Sequence, residues 1–244
     1  MKITSDIPSD WKDLQNKVCK FLNEAGYESE SPKTIKTVRG DVEVDVFSIS
    51  NDELIKQFIC ECKFWNTPVP KEKIHAFRTV VHDSGSMVGI FISKNGYQSG
   101  AYEAAYCSNV LLKDWDGFIK LIEDKWLKRR YMKLLQHLYP LSVYKDPFDV
   151  PIELLSDVEL KKYKELNEKT VGDYLLCRSL KLKKIKEDVI EIDGKIFKSY
   201  DKLFEHFERN LIPKIKEYEE IFKNNPIEKW KIDYGIVKYS YDDI

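Results

Sequence analysis

Apolar residues recur along this chain with two periods, and the switches between them outline its elements. Trp11, Leu14, Val18, Phe21, Leu22 and Ala25 keep the spacing of one helical stripe, with Ser9 as candidate N-cap and Gly26 as candidate C′ residue. A strand is expected between Tyr27 and Val38, a turn at Arg39-Gly40-Asp41, and a strand from Val42 to Ile49. After turn formers at Ser50-Asn51-Asp52-Glu53, Ile55 to Phe64 reads as a third strand, and the three together as a meander. Pro68 and Pro70 precede a helix from about Lys71 to His82, with Ile74, Phe77, Val80 and Val81 inward. Met87 to Ser93 is a continuous apolar run, the mark of a buried strand, so the intervening helix reads as a crossover between parallel neighbours. A short helix capped near Ser99 and a strand from Val110 to Leu112 follow.

Asp114 to Leu138 reads as a long amphipathic helix stopped by Pro140, and the proline-bearing stretch Leu141 to Pro151 as a boundary. Beyond it, Leu154–Leu166 and Val171–Leu180 look helical. Val189–Ile192 and Lys195–Phe197 flank Asp193-Gly194, a type I′ hairpin signal, and Ser199 can cap a helix to about Lys223. The expected fold is therefore α/β: an α-β-β-β-α-β core with a central mixed sheet in residues 1–139, then a mainly α-helical domain containing a β-hairpin in 140–244.

Composition narrows the function classes. The chain of 244 residues is 43% hydrophobic with 13% aromatics, which suits a folded protein. No apolar run approaches a membrane span, and Met1 to Asp6 shows no signal-peptide core, so a cytoplasmic protein is expected. Five cysteines without a Cys-x-x-Cys pair point to reduced thiols rather than zinc or disulfides. Formal net charge is −1 and is evenly spread, with 19 basic and 19 acidic residues in 1–130 and 21 and 22 in the remainder. That counts against a polycation clinging to nucleic acid, though not against a local basic rim.

Charge also appears where a buried sheet should not tolerate it. In Phe58-Ile59-Cys60-Glu61-Cys62-Lys63-Phe64, alternation puts Glu61 and Lys63 on one face and Phe58, Cys60, Cys62 and Phe64 on the other. Upstream, Val42, Val44 and Val46 share one face, Glu43 and Asp45 the opposite one. Pairing these strands can gather Asp45, Glu61 and Lys63, a set that is costly to desolvate unless it is paired or holds a metal. Two carboxylates and the Cys62 carbonyl suit a hard ion such as Mg²⁺, with Mn²⁺ as a substitute, and Lys63 can orient a water or offset phosphate charge. The competing reading is an exposed pair worth about 0.2–1 kcal/mol. Spacing alone does not decide, because acidic-x-Lys recurs at Asp10, Glu123, Glu159 and Asp193 in a chain that is 33% charged. Lys94 and Gln98 can meet a phosphate or simply lie in a solvated loop. Trp65 can stack on a base or close the core edge. Lys181 to Lys186 is the strongest basic run, a candidate backbone contact or a solvated edge. His75 and His82 lack a ligand partner at metal-site spacing.

From Trp11 to about Asp116 the chain resembles an Mrr-type, restriction-endonuclease-like nuclease domain of the PD-(D/E)xK superfamily. The resemblance rests on Leu14-Gln15 through Ala25-Gly26-Tyr27, Gly40 to Val46, Ile59-Cys60-Glu61-Cys62-Lys63-Phe64-Trp65, Val88 to Ser93, and Gly96-Tyr97 leading to Ala104-Ala105. It implies a metal-dependent DNA endonuclease of defence or repair type. Asp45 would be the metal-binding aspartate, Glu61 and Lys63 the acid and lysine of the second motif, and Gln15 an accessory group; Glu43 is a candidate accessory acid or a solvated edge residue. Gln15 stands where many relatives carry glutamate, so it can hydrogen-bond a bound water without supplying charge. Cutting both strands wants two active sites, so a homodimer is expected from the chemistry rather than from residues. The alternative is a non-catalytic nucleic-acid-binding or protein-interaction module that keeps the fold; RNA as substrate also stays open.

Overall fold

The computed structural model describes residues 1–51, 55–180 and 189–227. Contacts divide the chain into two compact units, Ser5–Arg129 and Met1–Thr4 with Arg130–Ile244. The first opens with α1 (Trp11–Glu24), which buries Leu14, Val18, Phe21 and Leu22 as the stripe requires. Its cap lies one residue later than expected: the Asp10 side chain accepts the Asp13 N–H, and the Asp13 carboxylate accepts the Ser9 N–H in return. Trp11 is 61% exposed, because spacing identifies a stripe but not where the covering surface ends. Gly26 takes φ +88°, as a C′ glycine should.

Both expected upstream strands come in two pieces. The first becomes β1 (Glu28–Glu30) and β2 (Lys33–Thr37), the second β3 (Gly40–Val44) and β4 (Val46–Ile49). One antiparallel register runs through the break, from Glu30 opposite Phe47 to Lys33 opposite Val44, so Pro32 falls opposite Asp45. Proline offers no N–H to the ladder, and pairing lapses there. The break also undoes the shared face expected for Val42, Val44 and Val46. Val42 and Val44 join a core with Ile35, Ile59 and Phe91, whereas Val46 is buried opposite Cys60.

The main sheet adds β5 (Gln57–Lys63), β6 (Val88–Ser93) and β7 (Val110–Lys113) in the order β1-β4-β5-β6-β7. Strands β1, β4 and β5 are antiparallel, the expected meander; β5, β6 and β7 are parallel, joined through α2 (Lys71–Asp83) and α3 (Ser99–Ala105). Ile74, Phe77 and Val81 turn inward from α2. Gly89 makes that packing close, since a Cβ there would overlap Val81 and Phe77. Tyr97 fastens the far strands, its hydroxyl donating to the carbonyls of Phe91 (2.6 Å) and Lys113 (2.8 Å).

Helix α4 (Trp115–Lys145) runs through Pro140 instead of stopping there. An interior proline costs about 3 kcal/mol, while burying a large apolar side chain returns about 1.5–3 kcal/mol. Leu141, Val143 and Tyr144, all beyond the proline, are buried. Burial therefore outweighs the lost bond, and the first residues of the stretch read as a boundary are buried, while 146–149 are exposed. The two expected helices that follow merge into α5 (Asp157–Ser179), which opens on a Ser156/Glu159 capping box. Its polar middle buries Thr170, whose hydroxyl is satisfied by donating to the Leu166 carbonyl at 2.8 Å. The hairpin of β8 (Ile190–Ile192) and β9 (Lys195–Phe197) forms as read, with positive φ at Asp193 and Gly194. Then α6 (Tyr200–Ile221) packs Phe204, Phe207, Leu211 and Tyr218 inward. The Lys181–Lys186 run lies outside the described residues. Among the described residues no helix is long and apolar enough to cross a membrane.

Lys145, at the end of α4, donates to the Asn167 carbonyl and sits over the Tyr174 ring; burial pulls its pKa down to about 8. The unfolded lysine holds its proton to about pH 10.4, so between these values the unfolded state binds more protons and stability rises with pH. The penalty for the buried charge is complete below about pH 8. Lys145→Met is therefore expected to raise the urea midpoint near pH 7, with the gain shrinking as the buffer approaches about pH 10.

Candidate active site

On β5 the pleat places Ile59, Glu61 and Lys63 on one face and buries Phe58, Cys60 and Cys62 on the other. Asp45 occupies the unpaired position between β3 and β4, and its side chain reaches across to β5. Asp45 Oδ2 accepts the Cys62 backbone N–H at 2.7 Å, and Oδ1 accepts the Gln15 side-chain amide from α1. Lys63 Nζ pairs with Glu61 and lies 3.9 Å from Asp45 Oδ2. The three charged side chains are only 21–24% exposed. An open surface pair does not describe this arrangement, in which one ammonium sits between two half-buried carboxylates.

The electrostatics show what that ammonium leaves undone. Burial first, and the neighbouring Asp45 second, push the Glu61 carboxyl above its usual range; Lys63 and Lys73 offset only part of this. The site is thus short of positive charge. It is also short of a donor, since Gln15 Oε1 is buried with no hydrogen-bond partner. A divalent cation with its waters would meet both deficits. The donors are hard oxygens, which suit an ion that keeps waters. Thiolate ligation does not fit: Cys60 and Cys62 face the other side of β5, and burial pushes both thiols up. All five cysteines are free. Among the described residues no group of three or more His, Cys, Asp or Glu gathers to hold an ion, so backbone and water would complete any shell.

The remaining candidates separate. Gln15 is at the site, bonded to Asp45. Cys62 touches it through its N–H. Glu43 is exposed on β3 opposite Thr34 and is not among the groups that meet at Lys63. Lys94 is tied to the strand end, its N–H donating to the Lys63 carbonyl at 2.9 Å and its Nζ to Asn66 at 3.0 Å, above the Phe64 ring. Gln98 is exposed at the α3 N-cap, its N–H on the Val69 carbonyl. Trp65 lies beside Lys63, with Nζ 5.9 Å from its ring centre. His75 and His82 are exposed on α2. Sequence reading missed Lys73, whose charge acts on Glu61. The signal for it was topological: a crossover helix starts beside the C-terminal end of the strand it follows, so cations in its first turn face that strand's last residues.

Residues 8–122, a little under half the chain, match the family model described as restriction endonuclease. One solved structure, titled "Crystal Structure of Protein of Unknown Function AF1548", aligns over 88% of this chain and 100% of its own at 16% identity and a TM-score of 0.40. That likeness is too distant to bear on the reading. No curated protein matches.

Proposed function

We propose that this protein, whose residues 8–122 form an Mrr-type, restriction-endonuclease-like domain, is a metal-dependent endonuclease hydrolysing phosphodiester bonds in DNA. The observation that carries the reading is the convergence of Asp45, Glu61 and Lys63, with Asp45 pinned between the Cys62 N–H and Gln15. Magnesium, with manganese as a substitute, would polarise a phosphoryl oxygen and ease deprotonation of the attacking water. Asp45, Glu61 and the Cys62 carbonyl would hold the ion, and the free Gln15 oxygen would accept from one of its waters. Lys63 orients the attacking water and offsets charge on the phosphate as the water oxygen bonds to phosphorus. The P–O ester bond opposite breaks; the proton lost by the attacking water passes to solvent, and the leaving oxygen takes one up from solvent. Lys94, Gln98 and Trp65 rim the substrate, and Glu43 is an accessory acid at one remove. Cutting both strands calls for two such sites, which favours a homodimer. Five free thiols suit a cytoplasmic, reducing setting.

Titration with Mn²⁺, followed by its electron paramagnetic resonance signal, tests the ion site without relying on cleavage. Wild type should take up manganese with magnesium competing, and Asp45→Asn should bind at least about tenfold more weakly, the loss typical when a metal site is impaired. Equal binding by the two proteins would remove Asp45 from the site. No binding by either would favour a non-catalytic module that kept the fold, a reading to which the neutral Gln15 lends weight.

A further inference from the structure

Helix α2 begins at the catalytic site and leads away from it toward an arginine-bearing surface. Lys73, in its first turn, acts on Glu61. Nine residues later, about 13 Å along the axis, His82 lies at the far end. The solvent side of α2 between them lines a trough of about 830 Å³, closed on one side by the β2–β3 turn and on another by the segment before β7. Its lining holds two guanidiniums, Arg39 and Arg78, and two imidazoles, His75 and His82, against a single carboxylate, Asp83. Asp83 is shared between Arg39 (2.8 Å) and His82 (3.3 Å), which fixes the turn carrying Arg39 to the end of α2. Arg78 is held by one Nη donating to the Ala104 carbonyl at 2.9 Å. The other lining residues are Thr79, Cys107, Ser108 and Asn109.

This is not the wall chemistry of a small-molecule pocket, which is mostly apolar and aromatic. It is the chemistry of phosphate contact: arginines fixed in place, with imidazole, hydroxyl and amide groups between them. We propose that this trough binds the sugar–phosphate backbone of the duplex cut at the catalytic site, as a second phosphate-contact surface reached along α2. The inference rests on the nuclease reading above. It assigns affinity and register to residues that take no part in the chemistry, and it gives a chain with no net excess of positive charge a local place to hold a polyanion: Arg78 of α2 and Arg39 of the β2–β3 turn line one trough.

The test is fluorescence anisotropy of a labelled DNA duplex in EDTA, across a salt series, so that binding is read without cleavage. Wild type is compared with His75→Glu, an exposed position, and with His75→Glu/Arg39→Gln, each checked by its melting temperature. The double variant should bind about tenfold more weakly, and its dependence of log K on log salt should be shallower by about 1, the slope of one phosphate contact. Variants that match wild type in affinity and slope overturn the trough and leave the nuclease reading standing. A wild type that binds no DNA overturns both.

Discussion

Lys63→Ala is expected to lower metal-dependent DNA cleavage by about 100- to 10,000-fold, the range attached to a positioned acid–base or charge-stabilising group. The effect should fall on the chemical step. Lys63 touches both carboxylates, so its ammonium is placed where the phosphate and the attacking water must meet. It is one cation among many for the substrate as a whole, so affinity measured in EDTA should change little. Single-turnover cleavage at saturating protein separates these terms, with circular dichroism to show an intact fold. The substitution also leaves Glu61 and Asp45 with one fewer counter-charge, and the Glu61 carboxyl, already held up by burial and by Asp45, should rise further. A fall in melting temperature in metal-free buffer, partly restored by Mg²⁺, accompanies the lost activity on this account. Cleavage within about threefold of wild type, well short of the range for a catalytic group, would remove Lys63 from the mechanism.

Trp126→Ala is expected to destabilise the unit that carries this site by about 3–5 kcal/mol, the range for deleting a large buried aromatic. Trp126 is fully buried in α4, its ring 6.0 Å from Phe21 of α1, and its Nε1–H donates to Glu24 Oε2 at 2.7 Å. Loss of the indole leaves a cavity and takes a donor from the Glu24 carboxylate, which among the described residues keeps only Lys20 at 3.8 Å, so both effects have the same sign. Domains hold only about 5–15 kcal/mol in total, so the urea transition of this unit should move strongly. Trp126→Phe should fall between, since it restores most of the volume but not the donor. The same helix α1 presents Gln15 to Asp45, so the variant should also weaken manganese binding below its unfolding midpoint. A loss under about 1 kcal/mol would show that α1 does not lean on α4 in this way.

The periods of two and 3.6 made β5, α2, β6 and the Asp193-Gly194 hairpin legible, because in each of them local preference and burial agree. The alternation in β5 also sorted Glu61 and Lys63 from Cys60 and Cys62, as the pleat requires. What was not legible depends on contacts made at long range. Nothing in Leu138 to Tyr144 announces that a core will carry a helix through Pro140, yet burial of Leu141 and Tyr144 does so. The break opposite Pro32 was hidden for a related reason: it takes both strands of the hairpin to show that Pro32 and Asp45 face each other. That break matters to function, because Asp45 sits in it and its carboxylate accepts the Cys62 N–H. Gln15 was identified only through family resemblance, and Lys73 was missed, since each reaches the site from a helix whose placement the strand pattern does not encode.

A time course of supercoiled plasmid DNA incubated with the full chain, in Mg²⁺ and in EDTA, beside an equally folded Asp45→Ala variant, tests the central claim most directly. The account predicts nicking or linearisation by wild type in Mg²⁺ alone, at least about 100-fold faster than by the variant. Activity that persists in EDTA, or that Asp45→Ala retains, would contradict it.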